Sequence, residues 1–92
     1  MGLASRVQVP DHVLTRTVDR ELVLLNLDNE QYYGLDEVGA VIWTAVTTAP
    51  SVEEAVAELL TQFEVDIVRL NADVQRLLEA LQDRGLIVIA PS

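Results

Sequence analysis

Polar and apolar residues alternate over Arg6-Val7-Gln8-Val9, the two-residue period of a half-buried strand, and Pro10 stops the run. His12 to Val18 (HVLTRTV) is rich in β-branched residues and predicts a second strand. Asp19-Arg20 then makes a turn. Glu21 to Leu27 (ELVLLNL) follows, with Val23, Leu25 and Leu27 on one face and Leu22, Leu24 and Asn26 on the other. Asp28-Asn29-Glu30 is a second turn, and Gln31 to Leu35 (QYYGL) the next strand. Short links between consecutive strands predict an antiparallel meander.

After Leu35 the period changes to that of helices. Asp36 caps a helix over about Glu37 to Thr48, with the stripe Val38, Val41, Ile42, Ala45 and Val46. Trp43 lies off that stripe, so the helix is expected to bury a second face. Ala49-Pro50 ends it. Ser51-Val52-Glu53-Glu54 reads as a capping box opening a second helix, whose apolar side is Val52, Ala55, Val56, Leu59, Leu60 and Phe63. Asp66 caps a third, with the stripe Ile67, Leu70, Val74, Leu77, Leu78 and Leu81. Arg84 suits the negative end of its dipole, and Gly85 its C-terminal cap. Leu86 to Ile89 (LIVI) predicts a last strand, ended by Pro91. The expectation is one α+β domain over residues 1–92. A small sheet precedes three helices and a strand, the layout of a winged helix-turn-helix. There is no internal repeat, linker or low-complexity segment.

Charge narrows the partners. The net charge is −9, from fifteen acids against six arginines and no lysine. Phosphate backbones and anionic lipid surfaces repel such a chain. Arginines 6, 16, 20, 69, 76 and 84 are too scattered to make a dense basic patch. The acidity serves solubility, or it favours a basic or neutral partner. No apolar run approaches the ~20 residues that span a bilayer. The start MGLASRVQVP shows neither a secretory signal nor a myristoylation pattern, so a cytoplasmic location without membrane attachment is expected.

Catalytic chemistry finds no foothold. With no cysteine, disulfides and thiolate sites are absent, and the lone His12 has no second histidine for zinc. Ser5, Ser51 and Ser92 lie at a terminus, a helix cap and a terminus, none on a nucleophile elbow. Gly2, Gly34, Gly39 and Gly85 are too dispersed for a phosphate loop. Asp36/Glu37 and Glu53/Glu54 sit at helix starts, where capping and the dipole explain them. The Asp-Ser-Leu of a carrier protein is missing. No catalytic residue, metal or cofactor is therefore expected.

Binding remains. The last strand of a meander leaves N–H and C=O groups unpaired along one side. Gln31-Tyr32-Tyr33-Gly34-Leu35 has neither Lys nor Pro to blunt that edge, although Gly34 is a candidate bulge. A peptide can add there as one more strand. Taken alone, the tyrosines read first as ordinary half-buried strand residues, because aromatic residues are common in strands.

The series VLLNLDNEQYYGLDEVGAVIW, SVEEAVAELLTQFEVD and DVQRLLEALQDRGLI closely resembles the PqqD family, small proteins and domains also described as recognition elements for ribosomally made, post-translationally modified peptides. The resemblance spans about residues 6 to 89. Its most specific parts are Tyr32-Tyr33-Gly34-Leu35, Val38-Gly39, Ile42-Trp43, Leu81 and Gly85-Leu86. It implies a three-stranded antiparallel sheet packed on a winged helix-turn-helix. It also implies that a precursor's leader segment lies as an added strand along Glu30, Gln31, Tyr32, Tyr33, Gly34 and Leu35, gripped from the far side by the third helix. The resemblance leaves open which side chains of that helix line the groove. By spacing, Arg69, Asp73, Arg76 and Ala80 share one flank, and Val74 and Leu77 beside them offer an apolar floor. The likeness is greatest to the free-standing leader-binding proteins of lasso peptide clusters, which implies a cysteine-protease-like leader peptidase or another modifying enzyme as partner. The alternative within the family is presentation of a precursor to a radical SAM enzyme. A rival of another class is a winged helix-turn-helix DNA binder. Against it, the segment from 66 to 84 holds Arg69, Arg76 and Arg84 but also Asp66, Asp73, Glu79 and Asp83, so no nucleic acid is expected.

Overall fold

The computed structural model describes residues 5–91. The reading of the chain start as free of a targeting signal rests partly on residues 1–4. Those residues, Gly2 among them, and Ser92 lie outside the described region. The elements in order are β1 (Ser5–Gln8), β2 (Val13–Val18), β3 (Glu21–Asn26), β4 (Gln31–Leu35), α1 (Glu37–Thr48), α2 (Val52–Gln62), α3 (Ile67–Asp83) and β5 (Val88–Pro91). β2, β3 and β4 form the predicted antiparallel meander, and β1 pairs antiparallel with β5 in a separate two-stranded ribbon. The resulting α+β arrangement places the three-stranded sheet against a winged helix-turn-helix-like unit. Its second and third helices are joined by Phe63 to Asp66, and β5 follows them.

Side chains at alternate positions of the sheet point to opposite faces. Leu24 and Asn26 are buried beside Val13 and Leu35, so this inner face meets the helices. Ile42, Trp43 and Val46 of α1, Leu59 of α2, and Leu70, Val74, Leu78 and Leu81 of α3 complete the core with Leu86 and Ile87. Burying one such side chain contributes about 1.5–3 kcal/mol. Trp43 is 6% exposed, so α1 does bury a second face. The residues expected as caps accept at all three helix starts, although no bond from the Glu54 side chain to the Ser51 N–H completes the capping box among the described residues. Asp36 accepts from Gly39 N–H at 2.7 Å, Ser51 from Glu54 N–H at 3.2 Å and Asp66 from Val68 N–H at 2.9 Å.

Three local expectations change. Val38 and Ile67 head their apolar stripes but are 53% and 51% exposed, because they lie in first turns that run ahead of the packed part of each helix. Gly34 marks no bulge, since the β3–β4 register runs unbroken from Leu22↔Leu35 to Asn26↔Gln31. The last strand begins at Val88, not Leu86, and includes Pro91. Leu86 and Gly85 are still occupied in closing α3. Leu86 N–H donates to Leu81 O and Gly85 N–H to Gln82 O, both at 3.0 Å, the two bonds of a Schellman cap.

Gly85 holds φ +71°, and a Cβ there would lie 2.9 Å from Asn26 Nδ2. Gly85→Ala therefore meets both the left-handed backbone penalty, about 1–2 kcal/mol, and a clash with a buried neighbour. A denaturant melt is expected to show a loss of at least that size, whereas Gly34→Ala, with open space around its Cβ, stays near wild type.

Candidate functional site

β4 hydrogen-bonds to β3 only; among the described residues no other strand covers its outer rim. The direction of each amide follows from one bond. Leu27 N–H donates to His12 O at 2.9 Å, so the odd-numbered residues of β3 bond to β2. In an antiparallel ladder each residue turns its N–H and C=O to the same side, and neighbours alternate. Leu22, Leu24 and Asn26 therefore bond to Leu35, Tyr33 and Gln31. Tyr32 and Gly34 are left with N–H and C=O on the open side. Of the strand residues singled out from sequence, these two present main chain outward, and Tyr33 does not. Glu30 lies in the preceding turn with φ +60°, its N–H bonded to Asn26 O at 2.8 Å.

Side chains sort oppositely. Tyr33 is half-buried on the inner face and packs against the core, whereas Tyr32 is 68% exposed on the outer face. Between β4 and α3 lies a cleft of about 420 Å³ lined by Glu21, Tyr33, Gly34, Leu35, Asp36, Gly39 and Leu77. Leu77 is thus brought to the strand, as the helical spacing suggests. Val74 is 1% exposed and belongs to the core, so it offers no surface to this cleft. Asp73 and Ala80 are half-buried, and Arg69 and Arg76 exposed. Arg76 Nη1 lies 3.6 Å from Asp73 Oδ1 on the same helix.

The sequence reading missed Arg84 as part of this site. Its guanidinium lies 5.1 Å from the centre of the Tyr33 ring, within cation–π range. Continuing the α3 flank from Ala80 by one more helical turn reaches Arg84, so spacing alone had the signal; assigning Arg84 to the dipole hid it. Asn26 was also missed. Its Nδ2 donates to Arg84 O and Gly85 O, each at 3.1 Å, and its Oδ1 accepts from Asp28 N–H at 2.9 Å. One buried amide thus ties the sheet to the end of α3 and fixes the spacing of the groove walls.

The arrangement is an open strand edge, an aromatic and aliphatic cleft beside it, and Arg84 over Tyr33 at the end of α3. The family described as coenzyme PQQ synthesis protein D (PqqD) matches residues 21–87. The chain belongs to the PqqD family. Two solved structures share most of its architecture. One is TbiB1 in complex with the TbiA(β) leader peptide, 32% identical, with a TM-score of 0.80 over 87% of this chain and 93% of that one. The other is a lasso peptide synthetase B1 complexed with the leader peptide, 19% identical, with a TM-score of 0.81 over 90% of this chain and 98% of that one. The latter likeness is one of fold. No curated protein matches this chain.

Proposed function

We propose that this chain is a non-catalytic adaptor. It captures the leader segment of a ribosomally made precursor as a fourth strand on β4 and presents it to a modifying or cleaving enzyme. The observation that carries this reading is the free rim at Tyr32 and Gly34 above the Tyr33–Leu77 cleft. A guest strand gains main-chain bonds there, each contributing about 0.5–1.5 kcal/mol net. Its alternate side chains drop into the cleft, where burial offsets the ordering of a flexible peptide. Support comes from the 32%-identical TbiB1, whose structure holds a leader peptide. The pathway proposed is lasso peptide biosynthesis, with a leader peptidase as the receiving enzyme and the 92 residues acting as one recognition unit. The adaptor's benefit to that enzyme is effective concentration, because a tethered substrate meets it intramolecularly.

Among the described residues no group of His, Asp or Glu is placed to hold a metal ion, and no helix is long and apolar enough to cross a membrane. The decisive experiment has two arms. Titration of a fluorescent leader peptide is expected to saturate at one site per chain, and the purified protein alone is expected to leave the precursor intact by mass spectrometry. Turnover without a partner, or no saturable binding, overturns the reading.

Charge along the groove gives a further expectation. Arg84 lies over Tyr33 at the end of α3, and Arg76 is exposed on the same helix, while Glu21 and Asp36 line the cleft near the Leu35 end. For a leader carrying acids toward the Tyr33 end, Arg76→Glu or Arg84→Glu is expected to weaken binding several-fold at low salt, with the loss shrinking as ionic strength rises. Arg69, further along α3, tests the reach of the site in the same way. A reversal at Arg69, Arg76 and Arg84 together that leaves low-salt affinity unchanged removes these arginines from the site.

A further inference from the structure

The three-stranded sheet has a second open rim. β2 spends its even-numbered residues on β3, so Thr15 and Thr17 turn N–H and C=O away from the sheet. Val13, the remaining outward residue, already gives its N–H to Pro10 O at 3.1 Å. β2 has six residues against five in β4, and no lysine, proline or bulge blunts it. Its side chains show what lies beneath. Val13 is buried on the inner face, yet Thr15 and Thr17 on the same face are exposed. This end of the sheet overhangs a cleft of about 480 Å³ reaching from Thr17 and Leu22 to α1 and the end of α2. Leu22, Val41 and Ala45 make its floor. Its rim carries Glu21, Glu37 and Glu58 against one cation, Arg20, whose guanidinium sits 3.6 Å from Glu37.

We propose that this rim and cleft form a second strand-docking site, occupied by an extended basic segment of the enzyme that acts on the captured peptide. The inference rests on the adaptor reading, in which peptide and enzyme must be held together. The form of the occupant follows from Thr15 and Thr17, which bond to extended backbone. Small apolar side chains suit the Leu22–Val41–Ala45 floor. Lysine or arginine suits the acidic rim. A second copy of this chain suits it poorly, since each carries a net charge of −9 and the one cation of β2, Arg16, lies on the opposite face of the sheet. Guests on the β2 and β4 rims lie four strand spacings apart, roughly 19 Å, so both rims can be filled at once. Glu21 borders both clefts, which places the two occupants on either side of a single acidic residue.

The test is a nitrogen-15 NMR titration of the intact chain with two synthetic hexapeptides, acetyl-Lys-Val-Thr-Val-Thr-Lys-amide and its counterpart with glutamate at both ends. The basic probe is expected to shift the amides of Thr15, Thr17, Thr44 and Thr48 and to bind at least fivefold tighter than the acidic one at low salt. Thr17→Pro removes an outward amide that the fold does not use, and Glu58→Lys inverts the rim from another element. Each is expected to weaken the basic probe about tenfold while leader binding at β4 is retained. Four results overturn the proposal. They are shifts confined to Tyr32 and Gly34, equal binding of both probes, no shift at millimolar probe, and a Thr17-dependent dimer in sedimentation, which assigns the rim to a second copy. A wild-type chain that binds no leader refutes the adaptor reading separately, whatever the probes do.

Discussion

Gly34→Pro is expected to lower leader affinity by roughly 10- to 100-fold while leaving the melting temperature within a few degrees of wild type. Gly34 turns its N–H to the free rim, so proline there deletes no bond of the protein's own sheet. It does strip the guest of a donor. Losing the bond and leaving the guest carbonyl without a partner costs about 1–3 kcal/mol. Tenfold in affinity corresponds to about 1.4 kcal/mol. Tyr32→Pro is expected to act alike, because its amide points the same way. Tyr33→Pro is the internal contrast. Its N–H faces Leu24, so this substitution breaks a native ladder bond and is expected to lower stability as well as binding. Fluorescence anisotropy with labelled leader, read beside thermal melts, separates the three. If Gly34→Pro and Tyr32→Pro both bind like wild type with the fold intact, strand addition on β4 is wrong.

That contrast shows where sequence reasoning stopped. The two-residue period located β2, β3 and β4, and the caps Asp36, Ser51 and Asp66 located the helix starts, because these signals lie within a few residues of one another. The edge status of β4 was legible too, since a meander's last strand has one neighbour. Which residues face outward was not. Alternation fixes only two choices, and the Leu27–His12 bond that decides between them depends on the register of two strands. The pairing of β1 with β5 was invisible for a related reason. Ser5 meets Pro91 across almost the whole chain, and nothing local to either strand names the other. Val74 and Leu77 illustrate the same limit on α3. Both lie on its apolar side, but only the tertiary packing separates Leu77, which lines the cleft, from Val74, which is sealed in the core.

Asn26→Asp is expected to lower stability by about 3–4 kcal/mol and the melting temperature by roughly 15–20 °C. The substitution conserves shape, so the loss comes from chemistry and not from a cavity. Asn26 is 2% exposed, and its amide nitrogen serves Arg84 O and Gly85 O together. A carboxylate has no hydrogen to give. It leaves two carbonyls at the end of α3 without their donor, and it places a buried negative charge against the negative end of the helix dipole. Only the bond from Asp28 N–H survives. Domains of this size are stable by about 5–15 kcal/mol in all, so the deficit is a large share. The site should respond as well. The same amide holds Arg84 over Tyr33 and sets the distance from β4 to α3, and with it loosened the guest strand loses one wall of its groove. Leader affinity is therefore expected to fall even at temperatures where the variant remains folded. Asn26→Gln keeps the donor but moves it by a methylene into a closed space, so it is expected to rescue only in part. Should Asn26→Asp melt within 3 °C of wild type, the amide latch is not what joins the sheet to the third helix.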